Sequence, residues 1–467
     1  MNKPWRWRFP SRTKFSFASA VGKNKSEPLP TSLYKQSCPR GGSLLQLAWC
    51  AVALLSTPVH AQSTAASREM PPGFSIVSGK HIDVITDMPL SDELRELPAV
   101  FDAALPHWCE VFDLPLAAVS DWRVDACVML DRQRFIDAGL LPQAISHFTY
   151  GYQMGDRLWV TEQRSAYYRR HLLLHEGTHW MMIRKYGRLA PPWLMEGMAE
   201  WLGTHRWDGQ QLHMGIIPTA REEVPYWGRT KIIADQLADG VAPSLESILR
   251  YSDTAHQQQE AYAWSWAAVV FLKHHPDTRA TFDQLLGQPL QDRDDSNRWF
   301  FRQLSNRWPR LRQEWNAALS DLDYGFAPER GMLTLSTAPQ MLTKSQTVTI
   351  AADRSWQASG VAVAAGAQIA VQAQGDYVLA RQPRPWKCYP DGVTLEYYRG
   401  QPLGKLMMTS VAPLVKEPSF SNPPAVMAIG SGGQFRVNQA GELHFRINEA
   451  TGDLADNSGT LTITISP

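Results

Sequence analysis

The chain has 467 residues, with 46 Lys and Arg against 45 Asp and Glu, 18 Trp and five Cys. That length suggests about two or three domains, and a 44% hydrophobic content can fill their cores, which excludes a disordered chain. A near-neutral charge gives no global basic field for nucleic acid, and five cysteines are too few for a disulfide scaffold.

The charge is uneven along the chain. Residues 1–61 hold nine Lys or Arg and one acid, Glu27, a net +8 that leaves the remainder at −7. An apolar run at 44–55 follows, and Ser56-Thr57-Pro58-Val59-His60-Ala61 offers a small-residue cleavage site. This order reads as a signal peptide cleaved near Ala61. The run is shorter than the roughly 20 apolar residues that span a bilayer. The expectation is a secreted or periplasmic protein with no stable membrane anchor. Cys38 and Cys50 fall in the leader. Cys109, Cys127 and Cys388 remain, in a compartment that permits disulfides. A Cys109–Cys127 bridge and two buried thiols are both compatible with their positions.

A polar linker at 62–73 leads into alternating strand patterns at 81–85 and 123–128, with a helical pattern at 91–112 between them. A hairpin is expected over 148–162, turning at Met154-Gly155-Asp156. Its second strand, 157–162, is a candidate sheet edge for an extended peptide. Helical patterns follow at 166–186, 192–205, 260–274 and 297–319. The composition shifts at 324–339, read as a linker. Short strands with Gly-rich turns then recur at 347–350, 368–371, 444–447 and 460–464, which suggests a sandwich. The fold class expected is α+β: a mainly helical domain over 74–323 with an N-terminal β/α part, then an all-β sandwich over 340–467.

The helix at 166–186 carries His175-Glu176-Gly177-Thr178-His179. His175 and His179 are one turn apart and project from one face, where two imidazoles can bind one zinc. Glu176 beside them can reach a metal-bound water. The next helix opens on Pro192 and carries Glu196 and Glu200, again one turn apart. Glu196 supplies the third ligand that a catalytic zinc needs, and Glu200 can accept the other ring N–H of a ligating histidine. His171, one turn before His175, is read as a packing or supporting residue. Trp193, Trp201, Trp207 and Trp227 are read as core or cleft walls.

The pair His175-Glu176-x-x-His179 and Trp193-Leu194-Met195-Glu196-Gly197-Met198-Ala199 resembles the gluzincin metallopeptidases, which include thermolysin and its aminopeptidase relatives. The resemblance implies zinc at His175, His179 and Glu196, with Glu176 as general base and then acid. It implies a tyrosine donor for the developing oxyanion at the start of a later helix, for which Tyr262 is the candidate. The aminopeptidase branch carries a glutamate upstream that grips the substrate's amino terminus. The corresponding stretch here, Gly151-Tyr152-Gln153-Met154-Gly155-Asp156, lacks it. A peptide or glycopeptide substrate is expected.

Near the C-terminus a strand runs into Glu449-Ala450-Thr451-Gly452-Asp453-Leu454-Ala455-Asp456-Asn457. Clustered hard oxygen ligands suit calcium, and a polar turn that binds nothing has the same composition. The stretch is similar to the calcium-dependent galactophilic bacterial lectins of the PA-IL type. That resemblance implies Ca2+ at Glu449, Asp456 and Asn457, with backbone oxygens from Asp453 and from a residue near Leu379, and cell-surface glycans as partners. The lectins' sugar-contacting histidine and glutamine have no match around 387–392. Two other classes stay open: a carbohydrate-binding protein with an inactive peptidase-like domain, and a zinc hydrolase of a non-protein amide.

Overall fold

Alternating apolar residues place the strand patterns of the N-terminal part side by side in one five-stranded sheet. The structure, a computed structural model, describes residues 70–255, 258–289, 292–412 and 425–467. The expected leader and most of the first linker lie outside these residues. Strands β1 (Ser75–Ser78), β2 (Ile82–Thr86), β3 (Val124–Met129), β4 (Gly151–Met154) and β5 (Arg157–Thr161) are ordered β1-β2-β3-β5-β4. The β2–β3 and β3–β5 pairs are parallel, and the central strands are buried on both faces, as such pairing requires. β5 pairs with β3 on one side and β4 on the other. The sheet edge is therefore β4, not the 157–162 strand.

One expected helix, 91–112, is two: α1 (Asp92–Arg95) and α2 (Leu97–Val111). Pro98 has no N–H to continue the ladder but fits the first turn of a new helix. After the short α3 (Arg132–Asp137) comes α4 (Ala166–Tyr186), the motif helix. The Ser165 hydroxyl accepts the Tyr168 N–H at 3.1 Å to start α4, and Gly187, at φ +68°, ends it. α5 (Pro192–Gly203) stops two residues short of 205, because Thr204 turns extended. The chain then makes a hairpin of β6 (His205–Trp207) and β7 (Leu212–Met214).

The remaining helices are α6 (Arg229–Ala238), α7 (Leu245–Ile248), α8 (Gln259–His274), α9 (Arg279–Gly287), α10 (Arg293–Gln303), α11 (Trp308–Asp321) and α12 (Pro328–Gly331). The expected 297–319 helix is thus α10 and α11, restarted with a proline, Pro309, in the first turn. α5 lies against both α4 and α8. Its contact with α8 is close enough to demand glycine: a Cβ on Gly197 would sit 2.5 Å from the Ser265 carbonyl oxygen. One apolar core joins α2, α4, α5, α8 and one sheet face. A smaller core with Trp159 and Phe135 fills the other face. Cys109 belongs to the first core and Cys127 to the second, and no disulfide joins them.

The C-terminal part is mostly β, with one short 3-10 helix at Thr451–Asp456 in the expected all-β sandwich, and the fold class is α+β. One sheet orders Met427–Ala428, Leu406–Val411, Gly441–Ile447, Gln357–Val363 and Gln340–Met341. The facing sheet is centred on Ser458–Ser466, paired with Ala367–Gln374 and Gln346–Ala351, and a separate core lies between the two. The described residues of both parts belong to one compact unit. The 324–339 stretch is no open tether: Phe326, Leu333 and Leu335 are buried. Asp321 at the end of α11 accepts from Arg446 of the sandwich at 2.8 Å and from Arg399 at 2.9 Å. Among the described residues no helix is long and apolar enough to cross a membrane.

Candidate metal centre

The helical period brings His175 and His179 to one face of α4, and α5 packs across that face with Glu196 and Glu200. The Nε2 atoms of His175 and His179 are 3.1 Å apart, and Glu196 Oε2 is 3.4 Å from each. Glu196 Oε2 is buried without a hydrogen-bond partner. A carboxylate oxygen and two imidazole nitrogens facing one another make a donor set that suits a divalent cation. These three residues could hold a metal ion.

A second group, His171, His175 and Glu200, also brings three ligand atoms within reach of one another. It is fully buried, and a cation is already there. Arg229 Nε donates to Glu200 Oε2 at 2.9 Å and Nη2 to Oε1 at 2.7 Å, while Trp227 Nε1 donates to Oε2 at 3.2 Å. A metal would have to displace the guanidinium from a site with no open position. The first group lies partly open and is the better metal site. Glu200 instead stands 3.5 Å from His175 Nδ1 and 3.5 Å from His171 Nε2. Sequence reasoning reached Glu200 and His171. It missed Arg229 as a partner, because Arg229 comes from a loop-to-helix junction 29 residues away.

Glu176 lies on the side of α4 that meets the sheet edge. A Cβ on Gly151 would be 2.2 Å from its Oε1, so β4 passes directly over the carboxyl group. Burial pushes the Glu176 carboxyl up to about 8, against the pull of His179 and with the push of Glu196 and Glu200. Burial would also raise Glu196, but His179 and His175, each 3.4 Å from its Oε2, outweigh it and hold Glu196 at about 2. The Glu200 carboxyl is held well below its ordinary range: burial is outweighed by Arg229 and His171. Two neighbouring glutamates are thus kept as acceptors, while the third is held near the pH at which a carboxyl group can both take up and return a proton.

Tyr262 sits in the first turn of α8, its ring 6.1 Å from that of His175. The Arg229 guanidinium lies 5.5 Å from the Tyr262 ring centre. Burial, then Glu196 and Glu176, raises the phenol, which keeps Tyr262 a hydrogen-bond donor. The structure therefore gathers His175, His179, Glu196, Glu176, Glu200 and Tyr262 in one place. Of the four tryptophans, Trp193 is a core residue and Trp227 a buried donor to Glu200.

The C-terminal acidic loop is arranged differently. Glu449, Asp453 and Asp456 line one cleft of about 420 Å³ together with Leu379, Trp386 and Glu396. Asn457 turns its amide nitrogen onto Glu449 Oε2 at 2.6 Å and onto the Ala352 carbonyl at 3.1 Å. The Asp456 carbonyl accepts from Arg381 at 3.2 Å. Among the described residues the only groups of three His, Cys, Asp or Glu with ligand atoms within 4.8 Å of one another are the two in the helical part. Glu449, Asp453 and Asp456 do not form one. Burial, then Asp453 and Asp456, pushes the Glu449 carboxyl up to about 7 despite the Asn457 bond.

No family model matches the chain, and no curated protein matches it. Among solved structures, a chain described as "EclA N-terminal domain; PllA-like lectin" matches at 17% identity. That match covers 27% of this chain and 96% of the other, with a TM-score of 0.20, too low to carry an argument about either half of the molecule.

Proposed function

We propose that the protein is an exported zinc-dependent metallopeptidase. The observation that carries this reading is the convergence of His175 Nε2, His179 Nε2 and Glu196 Oε2 within 3.4 Å of one another beside the buried carboxyl of Glu176. Zinc held by these three would supply Lewis acidity to a water and to a substrate carbonyl. This chain's own groups do the rest. Glu176 takes the proton of the attacking water and returns it to the leaving nitrogen. Tyr262 donates its hydroxyl to the oxygen on which charge develops. Glu200 keeps the His175 ring turned toward the site. Among the described residues β4 pairs on one side only, so its other edge offers backbone groups to an extended substrate beside Glu176.

The cleft at Glu449 is read as an accessory glycan site, with calcium as its candidate ion. Zinc content of the purified protein, and its loss in His175→Ala, tests the centre. Cleavage-site profiling on a protein mixture with and without a zinc chelator tests the reaction. A protein that retains one zinc but cuts no peptide bond would move the reading to another amide, and one without zinc would leave the carbohydrate-binding alternative.

A further inference from the structure

We propose that Arg229 is the positioning residue of the metal centre. Through Glu200 it fixes the ring of His175, and with its face it supports Tyr262. The inference rests on the metallopeptidase reading and assigns a part in it to a residue outside both motif helices.

The geometry is specific. Arg229 is the first residue of α6, and its side chain is only 10% exposed. Two parallel N–H bonds of 2.9 and 2.7 Å tie it to the two oxygens of Glu200. Such a fork fixes both the position and the plane of a carboxylate, which a single point charge does not. Each Glu200 oxygen then has one imidazole at 3.5 Å: Oε1 faces His175 Nδ1 and Oε2 faces His171 Nε2. With Nδ1 of His175 directed at Glu200, Nε2 is left facing His179 and Glu196. If Glu200 rotated, the His175 ring would lose the one acidic group behind it.

The same guanidinium touches the other side of the site. Its centre lies 5.5 Å from the Tyr262 ring, within cation–π range. One side chain therefore connects the holder of a ligand with the candidate oxyanion donor. A generic buried ion pair needs neither contact, and apolar residues often replace such pairs without loss.

The test uses the full mature chain, with zinc as the probe in competition against a chromophoric chelator. Arg229→Met is expected to bind zinc about 10- to 100-fold more weakly, the range typical of lost outer-shell partners. Arg229→Lys keeps the charge without the fork and should lose roughly three- to tenfold. The Arg229→Met/Glu200→Gln double variant should lose little more than Arg229→Met alone. In turnover of an unfolded protein substrate, kcat should fall with little change in KM. Zinc affinity within twofold of the parent in folded Arg229→Met would overturn the proposal. If Arg229→Met does not fold, unchanged affinity in Arg229→Lys overturns it instead. An unmutated protein that binds no zinc defeats the metal-centre reading itself, so the two failures are told apart.

Discussion

Gly151 and Glu176 are in such close contact that a single methyl group on Gly151 would lie 2.2 Å from Glu176 Oε1. The sheet edge and the candidate base therefore fit only because residue 151 has no side chain. Gly151→Ala must push the carboxyl group aside or displace the strand. It is expected to lower kcat at least tenfold and to cost about 1–3 kcal/mol of stability from overpacking. Zinc content should stay at the parental level. A Gly151→Ala enzyme of unchanged kcat would separate Glu176 from the reacting atoms.

Glu176→Gln keeps the shape and removes the proton acceptor. General-base groups contribute roughly 10²- to 10⁴-fold. Turnover should fall in that range while the metal stays bound, because Glu176 is not among the three ligands. Persistent hydrolysis by the variant would remove Glu176 from the mechanism.

Tyr262→Phe deletes one hydroxyl at the rim of the site. Loss of one oxyanion donor typically costs on the order of 10²- to 10³-fold in kcat. KM and zinc affinity should change little. A loss confined to KM would make Tyr262 a binding residue instead.

Asp321 carries a prediction about folding. It is buried and accepts from both Arg446 and Arg399, and Ser355 donates to it at 3.1 Å. Asp321→Ala leaves the Arg446 charge buried without its carboxylate, with only the Ile447 and Glu449 carbonyls as acceptors, which should cost about 3–5 kcal/mol. The helical part and the sandwich should unfold in a single transition. Two well-separated denaturation midpoints for tryptophan fluorescence and far-ultraviolet dichroism in the unmutated protein would contradict this.

Glu314 gives stability a pH dependence. It is fully buried, accepts the Leu335 N–H at 2.8 Å and lies 3.4 Å from His275 Nε2. Burial, reinforced by Asp277, pushes its carboxyl up to about 7 against the Leu335 hydrogen bond and two arginines. The folded state therefore binds this proton more tightly than the unfolded chain does. The stabilisation is complete below about pH 4.5 and is lost as pH rises through 7. Glu314→Gln should flatten the thermal stability of the protein between pH 5 and 8, by something on the order of 1–3 kcal/mol. Equal slopes in both proteins would show that Glu314 does not titrate there.

The candidate site was legible where chemistry follows helical spacing. His175 and His179 share a face because residues four apart do, and so do Glu196 and Glu200. What escaped was set by tertiary contact. Arg229 and Gly151 owe their places to a loop and to an edge strand, and nothing in their local sequence announces either contact. The strand at 157–161 has an apolar pattern that fits an edge or a centre, and only the strand order decides between them. Helix boundaries failed at Pro98 and Pro309, where proline starts a new helix inside a continuous apolar pattern. α6 and α9 are short and largely exposed, α7 is a single four-residue turn, and all three lack the long stripe that reveals α4 and α8.

The clamp at Asp321 has a geometric corollary. A sandwich hung on a flexible tether would let a captured molecule sample many distances from the metal centre. Here the buried Arg446–Asp321 pair, a half-exposed Arg399 and a packed connection hold the sandwich to the helical part. A ligand in the cleft at Glu449 would then stand at one fixed span from His175, and the protein would work as a ruler instead of a leash.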